Sequence, residues 1–291
     1  MSISRQNLSI VIVTLRSEKV IDRCIKSINK NLPIIVVENS DNSKFKSYLE
    51  SHYKNVTCIL SKKNLGTGSG YNVGIKFSKT DYVYVINPDV VLEDEALEEI
   101  FLASEKLKDF SILSPICSDI KYPNYGLRNK KVINQDREKN FPFKVDYVDG
   151  YSILLNKKKF SKNYYFDENF FMYLENDDLC RRVINEGGSI FVIPKAKISH
   201  LGAGAVDPQF SKEVELSRNW HWMWSTFFYN KKYRGFLISF IIVLPKLFSS
   251  LTKVLIYSLI FNKEKKKIYY QRLSGLINAI AGKGSWYRPR I

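Results

Sequence analysis

Residues Leu8 to Asp41 read LSIVIVTLRSEKVIDRCIKSINKNLPIIVVENSD, and the order of patterns inside that stretch decides the fold. Leu8 to Leu15 is a near-continuous β-branched run, as expected of a strand buried on both faces of a parallel sheet. Val20, Ile21, Cys24, Ile25 and Ile28 then recur at helical spacing, and Pro33 precedes IIVV, a second strand that ends in polar residues. Strand, helix and strand in succession make a βαβ unit. The alternation continues with a helical segment around Phe45 to Tyr53, a strand VTCIL, a glycine-rich loop, a helix from near Ser69 and the strand YVYVI at Tyr82 to Ile86. The expectation is an α/β domain with a mainly parallel sheet flanked by helices, its polar strand ends collected at the carboxyl edge, where such sheets bind ligands.

Beyond that block, LEDEALEEIFLASEKLK reads as an amphipathic helix, and residues 118–147, rich in charge, Pro and Asn, as a mobile surface loop. Order resumes with VDGYSILLNKKKF, an acidic helix FFMYLENDDLCRRVINEGG and a strand SIFVIPKAKISHL. Character changes near Pro208, so residues 1–207 and 208–291 are read as separate regions. A chain of 291 residues that is 45% apolar can bury a full core, and no low-complexity tract argues against a globular protein. Cys24, Cys58, Cys117 and Cys180 are widely spaced without a C-x-x-C pair, which suggests reduced thiols in a cytoplasmic compartment rather than zinc or disulfides. The N-terminal apolar run is too short and too soon broken by charge for an export signal. Of the net charge of +16, the residues from Pro208 onward carry +12, with fifteen Lys and Arg against three acids. The basic part of the chain is its tail.

Five polar clusters end strands or begin helices: ENSD at Glu38 to Asp41, NLGTGSGYNVG at Asn64 to Gly74, NPD at Asn87 to Asp89, LENDD at Leu174 to Asp178 and SHLGAG at Ser199 to Gly204. The glycine loop has G-T-G-S-G spacing and follows the third strand, so it fits neither the dinucleotide fingerprint nor a P-loop. A tight turn with close helix-strand packing explains it as well as a ligand does. Asp89, directly beyond a buried strand, can offer a hard oxygen ligand at the sheet edge or cap the following helix. His200 also ends a strand and is followed by small residues that leave room for a ligand. Together Asp89 and His200 suit manganese, with magnesium as the alternative.

The order SIVIVTL, IIVVENSD, NLGTGSGYNVG, VINPDVVL, VDGYSILLNKKKF, YYFDENFFMYLENDDLCRR and VIPKAKISHLGAG resembles that of family 2 glycosyltransferases of the GT-A fold, especially rhamnosyltransferase-like enzymes of bacterial surface-polysaccharide assembly. The resemblance implies that Asp89 is the last acid of the family's D-x-D motif, with Asn87 at the first, and that His200 is the second metal ligand. It makes Glu38 the base-reading residue, suggesting a uracil or thymine nucleotide, with Thr14 and Asn39 beside it. Asn64, Gly66, Gly70 and Asn72 match the loop along nucleotide and sugar, and Asp149 and Gly150 the donor-sugar contact. Related enzymes read E-D-x-D where this chain has Glu175, Asn176, Asp177 and Asp178, so asparagine stands where the family's general base is taken to be; Glu175, Asp177 or Asp178 fills the role, or catalysis is impaired. The implied reaction is inverting transfer from a dTDP- or UDP-linked sugar, such as dTDP-rhamnose, to a polyprenyl-diphosphate-linked or other glycan acceptor. A nucleotidyltransferase on a related scaffold and a donor-binding scaffold protein are the alternatives.

In the tail, Gly235 to Phe261 is long enough to span a bilayer, but it contains Lys246, Lys253 and Pro245. A lysine at the centre of a spanning helix costs roughly 2.5–3.5 kcal/mol. At 100° per residue, Ser239, Lys246, Ser250, Lys253 and Tyr257 fall within about 40° of one line. A narrow polar stripe and a broad apolar face suit a helix lying in the interface of an anionic membrane, with WHWMWSTFFY before it and KEKKK after it as anchors. That makes the cytoplasmic face of the plasma membrane the expected location, and so much apolar surface argues against nucleic acid. A helical pair packed on the catalytic domain, or a homodimer interface, is the other reading.

Overall fold

The computed structural model describes residues 2–107, 109–119, 123–127, 140–200, 202 and 204–291. The chain divides into two units, Met1–Asp167 with Asn176–Asp207, and Glu168–Glu175 with Pro208–Ile291.

The first unit runs β1 (Leu8–Thr14), α1 (Ile21–Lys26), β2 (Ile34–Glu38), α2 (Ser43–His52), β3 (Val56–Leu60), α3 (Thr67–Phe77), β4 (Tyr82–Ile86), β5 (Val90–Leu92), α4 (Ala96–Lys106), β6 (Ile112–Cys117), β7 (Tyr125–Gly126), β8 (Phe143–Val145), β9 (Tyr147–Val148), β10 (Ser152–Asn156), α5 (Glu175–Asn185) and β11 (Ile190–His200). Among the described residues one nine-stranded sheet has the order β3-β2-β1-β4-β10-β6-β11-β5, with β8 alongside β11, and β7 pairs β9 separately. The β-branched run of β1 is buried because helices cover both faces of the sheet. Leu8, Ile10 and Ile12 pack into a cluster with Ile21, Leu49 and Ile100, while Val11 packs with Tyr71 and Ile75 of α3.

Pairing directions explain how the polar clusters meet. β1, β2, β3 and β4 are mutually parallel. β10 is antiparallel to β4, Ser152 opposite Ile86, so the residues just before β10 lie at the edge where β4 ends. β6 is antiparallel to β10 and parallel to β11, which returns the end of β11 to that same edge.

In this first unit three expectations change. Asp89 is followed by the strand β5, and α4 starts only at Ala96 with Glu95 as its N-cap, so Asp89 caps no helix. The acidic helix begins at Glu175 rather than Phe170, because Tyr173 and Leu174 have left-handed φ of 68° and 65°. In the stretch read as a mobile loop, residues 120–122 and 128–139 lie outside the described set, but Asn124 is fully buried. Its amide accepts from the Cys117 N–H at 2.9 Å and donates to the Pro115 carbonyl at 2.8 Å.

The second unit contains three helices, α6 (Ser211–Arg234), α7 (Phe236–Leu259) and α8 (Lys263–Ile280). The aromatic run expected to anchor a membrane instead forms this unit's core: Trp220, Met223, Trp224 and Phe227 pack with Val243, Leu276 and Ala279, and of the three tryptophans in that run Trp222 alone is exposed. His221 is buried beside them, its Nε2 2.8 Å from the Tyr287 carbonyl and its Nδ1 3.0 Å from Ser285 Oγ, and burial holds its pKa down at about 3. α7 is inverted relative to a surface helix. Ser239 and Ser250 on its polar stripe are buried, Lys246 lies 5.8 Å from the Trp222 ring centre and Lys253 4.8 Å from that of Tyr269. Leu237, Ile241, Phe248, Leu255 and Leu259 face outward.

α6 and α8 approach closely at Gly275, where an added Cβ would sit 2.3 Å from the Trp220 carbonyl oxygen. Backbone cannot yield there as a side chain can. Gly275→Ala is expected to destabilise the helical unit by about 1–3 kcal/mol, read as a lower denaturant midpoint by tryptophan fluorescence, with Gly284→Ala, which meets nothing within 4 Å, as the control.

Candidate active site

The antiparallel pairing of β11 with β5 sets His200 opposite Val90, one residue after Asp89. That register brings His200 Nε2 to 3.4 Å from Asp89 Oδ1. The other carboxylate oxygen, Oδ2, accepts from the Gly204 N–H at 3.2 Å. Among the described residues Oδ1 is buried without a hydrogen-bond partner. The imidazole stacks on Tyr151, with ring centres 4.0 Å apart and planes 17° apart. A buried carboxylate oxygen left unbonded beside an imidazole nitrogen is costly unless something positive joins them, and oxygen with nitrogen is a donor pair that manganese or magnesium accepts. Among the described residues no three His, Cys, Asp or Glu side chains gather as a cation site. The described residues can therefore offer a pair of ligands, and a cation held by them would take its other positions from oxygens outside the protein.

Asn87 is held away from that pair: its Oδ1 accepts from the Tyr71 hydroxyl at 2.8 Å, and its N–H donates to the Tyr151 carbonyl at 3.0 Å. It ties the end of β4 to α3. Thr14 and Glu38 end neighbouring strands in direct register. The Glu38 carboxyl is fully buried and takes hydrogen bonds from the Thr14 and Ser40 hydroxyls and, at 2.7 Å, from the Ser40 N–H. Burial pushes its pKa up against those bonds.

Asn39 clamps the glycine loop, donating to the Gly66 carbonyl at 3.1 Å and accepting from Ser61 Oγ at 2.9 Å. Asn64 Oδ1 accepts from the Gly66 N–H at 3.0 Å, closing a local turn that Gly66 completes at φ 83°. Gly70 and Gly74, one helical turn apart, face β1. A Cβ on Gly70 would meet Val13 at 2.8 Å, and one on Gly74 would meet Val11 at 2.3 Å. The loop's glycines thus serve a turn and a close helix-strand contact. Asn72 has both amide atoms on the backbone of Phe166, donating to its carbonyl at 2.8 Å and accepting from its N–H at 3.0 Å.

The acids around α5 separate by environment. Asp178 is fully buried and accepts from Arg182 Nε at 2.9 Å; that guanidinium lies 4.4 Å from the Tyr164 ring centre and donates to the Tyr165 carbonyl. Asp178 is part of a structural anchor. Asn176 Nδ2 donates to the Val148 carbonyl at 3.0 Å, and its Cβ sits 3.3 Å from where a Gly150 Cβ would be. Asp177 is half-buried, and its negative charge acts on Asp149. Glu175 belongs to the helical unit, where it is buried near Tyr173.

Asp149, just before β10, has its pKa raised to about 6, first by burial and then by Asp177, with His200 opposing. The sequence marks its position, and Gly204 as the end of the SHLGAG cluster, but not Tyr151, Tyr71 or Arg182, whose roles depend on pairing register; the adjacency of Tyr151 to the Asp149-Gly150 pair is the one local signal for these.

A carboxyl whose folded pKa exceeds its unfolded value keeps its proton more readily when folded, so it subtracts stability as pH rises from 3.8 to about 6. Asp149→Asn should flatten that part of the pH profile, and Asp177→Asn should move it to lower pH. Denaturant midpoints taken across this window check both.

Residues 9–164 match the sequence profile described as Glycosyl transferase family 2. The low-salt glycan biosynthesis hexosyltransferase Agl10 of Haloferax volcanii is 27% identical over 63% of this chain, which spans 64% of that protein. The rhamnosyltransferase WbbL of Escherichia coli K12 is 26% identical over 76% of this chain and 91% of its own length. The dTDP-rhamnosyl transferase RfbF of Shigella flexneri is 26% identical over 67% and 69%. Among solved structures, GalNAc-T7 with UDP, GalNAc and Mn2+ superposes with a TM-score of 0.55 at 13% identity over 77% of this chain and 50% of that one. Staphylococcus aureus TarS 1–349 in complex with UDP gives 0.53 at 16% over 98% and 94%. At these identities the structures speak to fold alone, and they carry the expected α/β arrangement of a mainly parallel sheet flanked by helices. The profile covers more than half of the chain, from the second residue of β1 to beyond β10, and on that ground the chain belongs to glycosyl transferase family 2.

Proposed function

We propose that this protein is an inverting, metal-dependent glycosyltransferase that moves a sugar from a dTDP- or UDP-linked donor, dTDP-rhamnose first among candidates, to a polyprenyl-diphosphate-linked or other glycan acceptor in cell-surface polysaccharide synthesis. The observation that carries the reading is the buried Oδ1 of Asp89, without a hydrogen bond among the described residues, facing His200 Nε2 at 3.4 Å. Two relatives named for rhamnosyl transfer favour the donor.

Asp89 and His200 would hold manganese or magnesium, which when bound offsets the charge developing on the departing diphosphate. Asp149 and Gly150, at the edge between them and α5, line the place for the donor sugar. Asp177 is the general base: Asn176 is fixed to a backbone carbonyl, Asp178 is bound to Arg182, and Asp177 alone of these three is a half-buried carboxylate close to Asp149. The acceptor hydroxyl oxygen bonds to the anomeric carbon from the face opposite the diphosphate, its proton passes to Asp177, and the carbon-oxygen bond to the diphosphate breaks with its electron pair on phosphate oxygen. The anomeric centre inverts.

Membrane association rests on α7. Its 24 residues are long and apolar enough to cross a membrane by length and composition, yet its polar stripe is packed against protein and one broad apolar face is left outside. A helix bare on one face suits the interface plane, which would keep the enzyme peripheral at the cytoplasmic face, beside a lipid-linked acceptor.

Asp89→Ala and His200→Ala should abolish transfer from dTDP-rhamnose or UDP-sugars and the manganese-dependent thermal shift with nucleotide. Asp177→Asn should lower kcat by about 10²–10⁴-fold with donor binding retained, whereas Asp178→Asn should chiefly cost stability, about 3–5 kcal/mol. Undiminished turnover in Asp177→Asn would reject it as the base. Leu237→Gln with Leu255→Gln should release the protein from neutral phosphatidylcholine vesicles in a sedimentation assay.

A further inference from the structure

Within the helical unit a cleft of about 770 Å³ opens between the start of α6, the start of α8 and the C-terminal segment. Lys263, Lys266, Lys267 and Arg290 line it against a single acid, Glu213. None of those four cations has an ion-pair partner within 4 Å among the described residues, whereas nearby Lys212 is paired with Glu264 at 2.9 Å. Arg288, also at the cleft, is committed: its guanidinium lies 3.8 Å from the Phe171 ring centre and donates to the Ser285 and Tyr287 carbonyls. Four positive charges around one concavity, offset only by Glu213 and by the pull of Lys267 on Glu264, repel one another and favour an anion among them. The start of α8, capped by Asn262 Oδ1 accepting from the Lys265 N–H at 3.0 Å, adds the positive end of an eighteen-residue helix.

The surroundings say what kind of anion. Tyr270 and Trp286 line the cleft and are more than half exposed, the indole N–H donating to Asn278 Oδ1 at 3.0 Å. Two residues before Lys263, the turn that ends α7 exposes Leu259, Ile260 and Phe261 at 78%, 60% and 85%. Three bare apolar residues running directly into a cationic, aromatic-walled cleft reproduce the profile of a bilayer, with acyl chains beneath a plane of phosphates and aromatic rings at the boundary.

We propose that this cleft seats the phosphodiester headgroup of an anionic bilayer phospholipid, while the turn at Leu259 to Phe261 enters the acyl region. The proposal rests on the reading of α7 as an interfacial helix. The cleft would then make attachment selective for anionic lipid, over and above apolar adsorption.

The test is sedimentation of the full chain with phosphatidylcholine vesicles and with phosphatidylcholine/phosphatidylglycerol vesicles. Two variants are compared: Lys266→Gln with Arg290→Gln, which removes charge, and Gln271→Trp, which fills the cleft without changing charge. Near a membrane surface each basic residue contributes about 1 kcal/mol, so the double variant should lose roughly 30-fold in affinity for anionic vesicles. Gln271→Trp should lose a comparable factor, and both should bind neutral vesicles as the parent does, which also reports that they fold. Anionic binding at the parent level in Gln271→Trp would mean diffuse surface charge and overturn the proposal. So would a rise in the thermal midpoint of the lipid-free parent, absent in the double variant, on adding inorganic pyrophosphate, because the occupant would then be a soluble polyphosphate. A parent that binds anionic but not neutral vesicles would reject the α7 reading and leave the cleft standing.

Discussion

The site depends on one backbone pairing. The antiparallel contact of β5 with β11 is only three residues long, yet it sets His200 opposite Val90 and so places an imidazole against a carboxylate that has lost its water. Side chains alternate faces along a strand, so a slip of one residue would turn His200 away from Asp89. The neighbouring pairings serve the same end: β10 against β4 brings Asp149 and Gly150 to the edge where β4 stops, and Tyr151 follows to lie flat on the imidazole.

A second constraint is the narrow gap between α3 and β1. Gly70 and Gly74 let the helix rest on Val13 and Val11, closer than any side chain would allow. From that position α3 reaches in two directions, through Tyr71 to Asn87 and through Asn72 to the backbone at Phe166. A loop that looks made for phosphate is thus, in its glycines, a device for holding a helix low. Its neighbours Asn39 and Asn64 fix the turn from which the helix starts.

Much of this was legible before any coordinates. The β-branched run at Leu8 to Thr14, the helical spacing after it and the polar strand ends defined an α/β sheet because parallel strands must be apolar on both faces. The order of motifs pointed to the family. Less legible were features that depend on distant partners. The late start of α5 comes from left-handed backbone at Tyr173 and Leu174, for which apolar periodicity gives no sign. Asp89 looked equally able to cap a helix until β5 intervened. The tail's aromatic run carried the right residues for a bilayer surface and yet closed on itself as a core, since three helices of this length need large side chains between them. The polar stripe of α7 is legible in its spacing, but its direction, toward protein, follows from Lys246 and Lys253 finding aromatic rings.

The stacking of Tyr151 on His200 ties together two duties that could have been independent. The tripeptide Asp149-Gly150-Tyr151 meets α5 at one end and the imidazole at the other. Under the proposed function, an exchange of residues aimed at a new sugar would disturb the imidazole that faces the departing group, and specificity would not drift here without dragging reactivity along. Redesign of such a protein has to treat that tripeptide as a single inherited character.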